Sequence, residues 1–274
     1  MKVLTLNTHS WMEKDDRQQI EGLAKKIAKE KYDLIGLQEV NQLRTSSSAK
    51  LDHYFQPTVD QKTVHEDNFL YCLTERLKEL DCRYYWSWTY NHIGYDVYHE
   101  GIGLLSKNPI EAKSLLLSES ADPSDYHTRR AIIGETRFGS QKITAVSGHF
   151  SWWQNLEQSF AYEWRTLEKA LMEKQDKLII MGDFNNDEKK SNEGYDLVRK
   201  SVLNIHDAFN TAEERTGEHT VETSIDGWGQ NTNSLRIDYI FASGEFKIES
   251  YNIAFNGKNG RIISDHYGIE IIMD

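Results

Sequence analysis

Apolar residues fall along this chain in two rhythms. Residues 17–30 set Ile20, Leu23, Ala24 and Ile27 at helical spacing, with Asp15 or Asp16 before them as a cap, and predict an amphipathic helix. A second helix is expected over residues 68–80. A third is expected over 156–173, where Leu156, Phe160, Leu167 and Leu171 share one side. Strands are predicted from short alternations or apolar runs at residues 1–7, 33–38, 102–105, 131–137, 142–150, 178–183, 237–242 and 267–272. Residues 41–67 read as a long polar segment. Strands come both in close pairs and separated by helices, which predicts an α/β fold: two mixed sheets packed face to face with helices outside. The chain carries no repeat, only three prolines and no evident linker, so one domain over residues 1–274 is expected.

The strand ends interrupt this pattern. "LTLNTH" sets Asn7 after an apolar strand, "DLIGLQEV" sets Glu39, "AVSGHFSWW" sets His149, and "KLIIMGDFN" sets Asp183 and Asn185. "RIDYIF" opens a strand with Asp238, and "ISDHYG" places Asp265 and His266 just before the last one. Each has a dull reading alone: Asn7 as a turn residue, His149 as a core histidine, Asp238 as an ion-pair partner. Together they form a set of oxygen ligands suited to a hard cation, with two histidines that titrate near neutral pH.

Composition narrows the partners. Lysine and arginine number 32 against 43 acids, a net charge of −11, which argues against a nonspecific nucleic-acid binder. Two cysteines match neither a disulfide framework nor a zinc pattern. No stretch approaches a membrane span and no export signal is evident, so a cytoplasmic location is expected.

Taken in order from Asn7 to His266, these motifs resemble the endonuclease/exonuclease/phosphatase superfamily, which includes deoxyribonuclease I. The resemblance implies a four-layer sandwich and metal-dependent hydrolysis of phosphate esters, with Mg²⁺ or Mn²⁺ as cofactor. It further implies that Glu39 binds the metal, supported by Asn7 and Asp265. Asp183 and Asn185 would orient water and a phosphoryl oxygen, and His266 would pair with Asp238. His149 matches a second histidine absent from the abasic-site endonucleases, and Glu100 lies where several members carry its acidic partner. Arg129 or Arg130 could hold a phosphate oxygen through a fork of hydrogen bonds, with a solvated basic pair as the alternative.

Three substrate classes remain open. A nuclease needs a basic or stacking groove, which the charge disfavours. A sphingomyelinase-like enzyme needs an exposed apolar hairpin, and none is evident in the sequence. A small sugar phosphate fits best. Trp152, Trp153 and Trp228 lie in loops beside the polar strand ends, where an indole could receive a sugar face, although core packing would also use them. "LTLNTHSW", "LQEVNQ" and "YHEGIGLLSKNPI" are similar to the branch that includes maltose-6′-phosphate phosphatases.

Overall fold

The computed structural model describes residues 1–153, 160–225 and 227–274. Along the chain run β1 (Lys2–Asn7), α1 (Asp16–Glu30), β2 (Leu34–Gln38), β3 (Gln42–Leu43), α2 (Phe69–Glu79), β4 (Tyr85–Gly94) and β5 (Tyr98–Ser106). There follow β6 (Glu111–Leu116), β7 (Arg130–Phe138), β8 (Gln141–His149), α3 (Phe160–Leu171), β9 (Lys177–Asp183) and α4 (Gly194–Arg199). The chain ends with β10 (Ile205–Asp207), α5 (Ala208–Thr211), β11 (Glu214–Thr216), β12 (Asp238–Ser243), β13 (Ile248–Ala254) and β14 (Gly268–Met273). No described helix is long and apolar enough to cross a membrane.

One sheet has the order β11-β13-β14-β1-β2-β5-β3, with β4 also paired to β5; the other has the order β10-β12-β9-β8-β7-β6. Strand periodicity explains why they stack. In β1, Val3 faces the space between the sheets, while Leu4 and Leu6 face outward. In β9, Ile179 and Met181 point inward and Leu178 and Ile180 outward. The inward set meets Leu34, Ile102, Leu104, Ile132, Ile143 and Ile269 in a central core. Outward residues of the first sheet bury Leu23 and Ile27 of α1 and Phe69 and Leu73 of α2. Those of the second bury Phe160, Trp164 and Leu167 of α3 with Val198 of α4. Four layers result, as expected. Each large apolar side chain so buried contributes roughly 1.5–3 kcal/mol.

The helix boundaries follow from local chemistry. Asp15 caps α1 by accepting from the Gln18 N–H, and Lys31 closes it in a left-handed conformation at φ 56°. Asn68 caps α2, so the expected helix 68–80 begins and ends on its caps. The third expected helix is α3, which ends at Leu171, two residues early; the part of the expectation before Phe160, Leu156 included, lies outside the described residues. Strands β4, β6 and β13 were absent from the expectation. Their sequences mix polar residues among apolar ones, which blurs the alternation that marks a strand. The polar segment 41–67 is largely irregular and is pinned by buried Gln42. Its Nε2 donates to the Thr63 carbonyl at 2.9 Å, and its Oε1 accepts from the His65 N–H and Asn68 Nδ2, each at 3.0 Å.

Strand direction then gathers the polar ends. β1 and β2 are parallel, as are β8 and β9, so Asn7, Glu39, His149 and Asp183 emerge at the ends of strands in two facing sheets. β12 runs antiparallel to β9 with Asp238 opposite Asp183, and β14 runs antiparallel to β1 directly after His266.

Gly182 controls this edge. It has φ 145°, and a Cβ there would lie 1.9 Å from the Gly148 carbonyl oxygen on the neighbouring strand. Gly182→Ala is expected to lose at least about 3 kcal/mol, because backbone strain and overpacking add. Urea denaturation measures it; a loss below about 1 kcal/mol would contradict this account of the strand end.

Candidate active site

Asp183 is the most connected group at the gathered strand ends. Its Oδ2 accepts from Asn7 Nδ2 at 3.0 Å and its Oδ1 from the Asn185 N–H at 2.8 Å. Two histidines approach the same Oδ2: His149 Nε2 at 3.6 Å and His266 Nε2 at 3.8 Å. Burial and the neighbouring Asp238 push the Asp183 carboxyl up to about 7.

The two histidines are tuned in opposite directions. Burial would keep His266 neutral, but the carboxylates of Asp238 and Asp183 outweigh it and raise its pKa well above the ordinary value. Asp238 Oδ2 is 2.9 Å from His266 Nδ1, fixing the ring so that Nε2 faces Asp183. Burial and the Arg129 guanidinium hold His149 well below its ordinary value. Hydrogen-bond donors face both of its nitrogens: Arg129 Nη1 lies 3.3 Å from Nδ1, and Asn185 Nδ2 lies 3.2 Å from Nε2. An imidazolium could satisfy neither, so His149 stays neutral.

Glu39 closes the other side. It follows β2 at φ 51°, a left-handed conformation that turns its carboxylate toward Asn7 Nδ2 at 2.8 Å. Asn7 bridges Glu39 and Asp183 through one amide nitrogen, while its Oδ1 accepts from the His9 N–H at 3.1 Å. Burial and the carboxylate of Glu100 push Glu39 up to about 8. Asp265 sits beside it, with Oδ1 3.7 Å from His9 Nδ1. Among the described residues, two groups bring ligand atoms within 4.8 Å of one another and could hold a cation: buried Asp183, Asp238 and His266, and half-buried His9, Glu13 and Asp265.

Glu100 is placed deeper than expected. It lies 3.5 Å from His92 Nε2, 3.7 Å from Arg129 Nη1 and 3.8 Å from His149 Nδ1. Burial opposes its ionisation, yet the facing His92 and the Arg129 guanidinium prevail and hold it at about 2. His92 and His9 were missed in the sequence. A register shift between Tyr90 and His92 sets His92 opposite Glu100, which no single strand reveals. His9 stood two residues past Asn7 in "LTLNTH" and was legible there.

A cleft of about 240 Å³ joins Glu39, Glu100, Arg129, His149, Asp183, Asn185 and His266, with Tyr95, Tyr126 and Trp152 at its rim. Trp228 touches it through Nε1, which donates to Asn185 Oδ1 at 3.0 Å. Arg130 and Trp153 do not line it. The side chain of Arg130 leaves β7 on the other face from Arg129 and reaches Ser114 Oγ at 3.5 Å, and Trp153 packs on the core beneath α3. Neighbouring positions had been read as a pair; alternation separates the arginines, while the tryptophans lie in the turn after β8. The sequence also showed no apolar hairpin near the site, whereas the β4–β5 turn exposes Tyr95 and Val97. Only two apolar side chains lie there, flanking Asp96, so the segment carries no hydrophobic run.

Comparison with known proteins fits this geometry. A family protein from Leptotrichia buccalis superposes with a TM-score of 0.88 at 29% identity, covering 100% of this chain and 99% of that one. The mannosyl-6-phosphatase Bt3783 of Bacteroides thetaiotaomicron gives 0.65 at 17% identity, covering 100% and 99%. TDP2 of D. rerio, complexed with a single-strand DNA product, gives 0.66 at 15% identity, covering 100% and 98%. No curated protein sequence matches the chain. The model of the endonuclease/exonuclease/phosphatase family matches residues 11–266, nearly the whole length. With that match added to the two-sheet fold and its gathered carboxylates and histidines, the chain belongs to the endonuclease/exonuclease/phosphatase family of metal-dependent phosphoesterases.

Proposed function

We propose that this protein is a phosphomonoesterase that releases inorganic phosphate from a small phosphorylated sugar, acting as one domain in the cytoplasm with Mg²⁺ or Mn²⁺. The observation that carries the chemistry is Asp183 held between one charged and one neutral histidine. Groups whose environments drive their pKa values apart divide the proton work between them. Asp183 and Asn185 orient the attacking water and a phosphoryl oxygen. Water adds to phosphorus in line and gives its proton to the Asp183 carboxylate, the ester P–O bond breaks, and the sugar alkoxide leaves with the proton that His266 held. His266, kept charged and aimed by Asp238, holds a proton at Nε2 facing the reacting group. His149, kept neutral by Arg129 and burial, contacts the phosphoryl group from the other side. A cation held by Glu39 and Asp265 would supply charge neutralisation on the phosphoryl oxygens.

The substrate reading draws on the cleft and the charge. A cleft of about 240 Å³ admits a small ester, and Tyr95, Tyr126 and Trp152 offer aromatic faces at its mouth. The net charge of −11 disfavours a long polyanion. The similarity to a mannosyl-6-phosphatase supports the same reading. The similarity to TDP2 with its DNA product supports the runner-up, a DNA-directed phosphodiesterase. A phosphate-release assay across hexose and disaccharide phosphates, with plasmid and single-stranded DNA alongside, decides between them. Efficient DNA cleavage without sugar-phosphate turnover would overturn the proposal.

His266→Ala and Asp183→Asn are each expected to lower kcat at least about a hundredfold with folding retained. Asp238→Asn should act through His266, so the double variant with His266→Ala should be little slower than His266→Ala alone. Multiplicative losses in kcat would break the assigned pairing.

Chelation should abolish turnover, and Mg²⁺ or Mn²⁺ should restore it. Stability should respond as well. Glu39 and Asp183 titrate near 8 and 7 in the fold but near 4 when unfolded. Between those values the folded chain holds more protons, so its stability falls as pH rises from about 4 to 8. His266, also raised, adds a contribution that is complete at low pH and fades as pH rises. Thermal unfolding of metal-free protein should therefore show a lower Tm at pH 8 than at pH 5. Added Mg²⁺ should raise Tm more at pH 8. An equal rise at both pH values would mean that Glu39 and Asp183 do not face the cation.

A further inference from the structure

Asn185 is where the loop before β12 meets the chemistry. A side-chain amide has nearly the same outline either way round, so its shape does not say which end faces the reacting group. The two ends act oppositely on a phosphoryl oxygen. The NH2 end donates to it, and the carbonyl oxygen repels it.

Two neighbours fix the choice. On one side, Asn185 Nδ2 donates to the Phe150 carbonyl at 3.0 Å and lies 3.2 Å from His149 Nε2. On the other, Oδ1 accepts from Trp228 Nε1 at 3.0 Å. A carbonyl oxygen can only accept and an indole N–H can only donate, so both neighbours select the same orientation. Among the described residues the indole is the one donor bonded to Oδ1. Asn185 is buried, so loss of that donor would strand an amide oxygen and free the side chain to swing.

The indole is itself braced. It packs with Ile225 on Val221, Leu235 and Ile237, and Ile237 directly precedes Asp238 at the start of β12. The main-chain N–H of Trp228 donates to the Ile225 carbonyl at 2.9 Å, and its carbonyl accepts from the Asn231 N–H at 2.8 Å. Gly227, just before it, has φ 79°, and a Cβ there would come 2.3 Å from Cζ2 of Trp152. Only glycine lets the loop pass so close to that ring. Trp152 in turn lies over the Arg129 guanidinium, 5.9 Å from the ring centroid. The loop is thus seated on groups of the cleft. A tryptophan that received a ligand would keep its N–H for a ligand hydroxyl, whereas Trp228 has spent its own on Asn185.

We infer that Trp228 is a positioning residue for phosphoester hydrolysis, its indole N–H holding the Asn185 amide with the NH2 end toward the phosphoryl oxygen. The inference rests on the reading of Asn185 as a phosphoryl contact and requires no particular leaving group.

The test measures kcat and KM with Mg²⁺ on p-nitrophenyl phosphate or bis(p-nitrophenyl) phosphate, whichever wild type turns over faster. It uses Trp228→Phe, Trp228→Leu, Asn185→Ala and the Trp228→Phe/Asn185→Ala double variant. Phe and Leu differ in bulk but both lack the N–H. The two variants should therefore lose kcat alike, about three- to tenfold, with KM within about twofold, the scale of one hydrogen bond. Where one of them folds poorly, the other still reads the effect. Asn185→Ala should lose more, and adding Trp228→Phe to it should cost nothing further. A raised KM at constant kcat would make Trp228 a binding surface and overturn the inference. Unchanged kcat, losses that follow side-chain bulk, or losses that multiply in the double variant would overturn it too. In each of those cases a slow Asn185→Ala leaves the reading of Asn185 standing. An Asn185→Ala variant as fast as wild type would overturn that reading and the inference with it.

Discussion

One buried carboxylate organises this protein. Asp183 ends a strand that is covered on both faces, and a lone carboxylate in such a place would carry a penalty of several kcal/mol. Its neighbours answer that penalty in kind. Asn7 arrives from the facing sheet, Asn185 folds its N–H back across a left-handed turn at φ 49°, and His266 brings a positive charge. Gly182 exists to let the strand pass close to β8 just before the carboxylate. The two sheets must pack in this alignment, or Asp183 loses the partners that make its burial tolerable.

Much of this was legible in the chain. Strands in close pairs beside strands separated by helices foretold a mixed two-sheet assembly with helices outside. Asn7, Glu39, His149, Asp183, Asn185, Asp238 and His266 were visible because each interrupts or flanks an apolar run where polarity is costly. The misses came from neighbours read together. Arg129 and Arg130 looked equivalent, as did Trp152 and Trp153, yet one of each pair faces the cleft and the other the surface or core. His92 was hidden for a different reason. Its partner Glu100 is set by a bulge between two paired strands, and register between strands is written in neither strand alone.

The division between sheets and loops also separates chemistry from choice. The sheet ends hold Asn7, Asp183, Asp238 and His266 through hydrogen bonds that run between strands. The rim is different. Tyr95 stands on a hairpin turn, Tyr126 on the loop before β7, and Gly227 and Trp228 on a loop with its own small core. Such segments can change without disturbing the sheets, and so one scaffold can serve sugar phosphates in one protein and DNA in another.

The two histidines show how the scaffold sets a reaction's polarity. His149 and His266 lie at nearly equal distances from the same oxygen, 3.6 and 3.8 Å, so distance cannot distinguish them. Their far sides do. Behind His266 stands a carboxylate; behind His149 stands a guanidinium, itself held by Glu100. Exchanging those two backing groups in thought would exchange the charges on the rings and reverse the direction in which a proton can move across Asp183. Glu100 pulls both ways: it stands 3.7 Å from Arg129 Nη1 and 3.8 Å from His149 Nδ1, where its charge favours a charged ring, and burial with the guanidinium outweighs it.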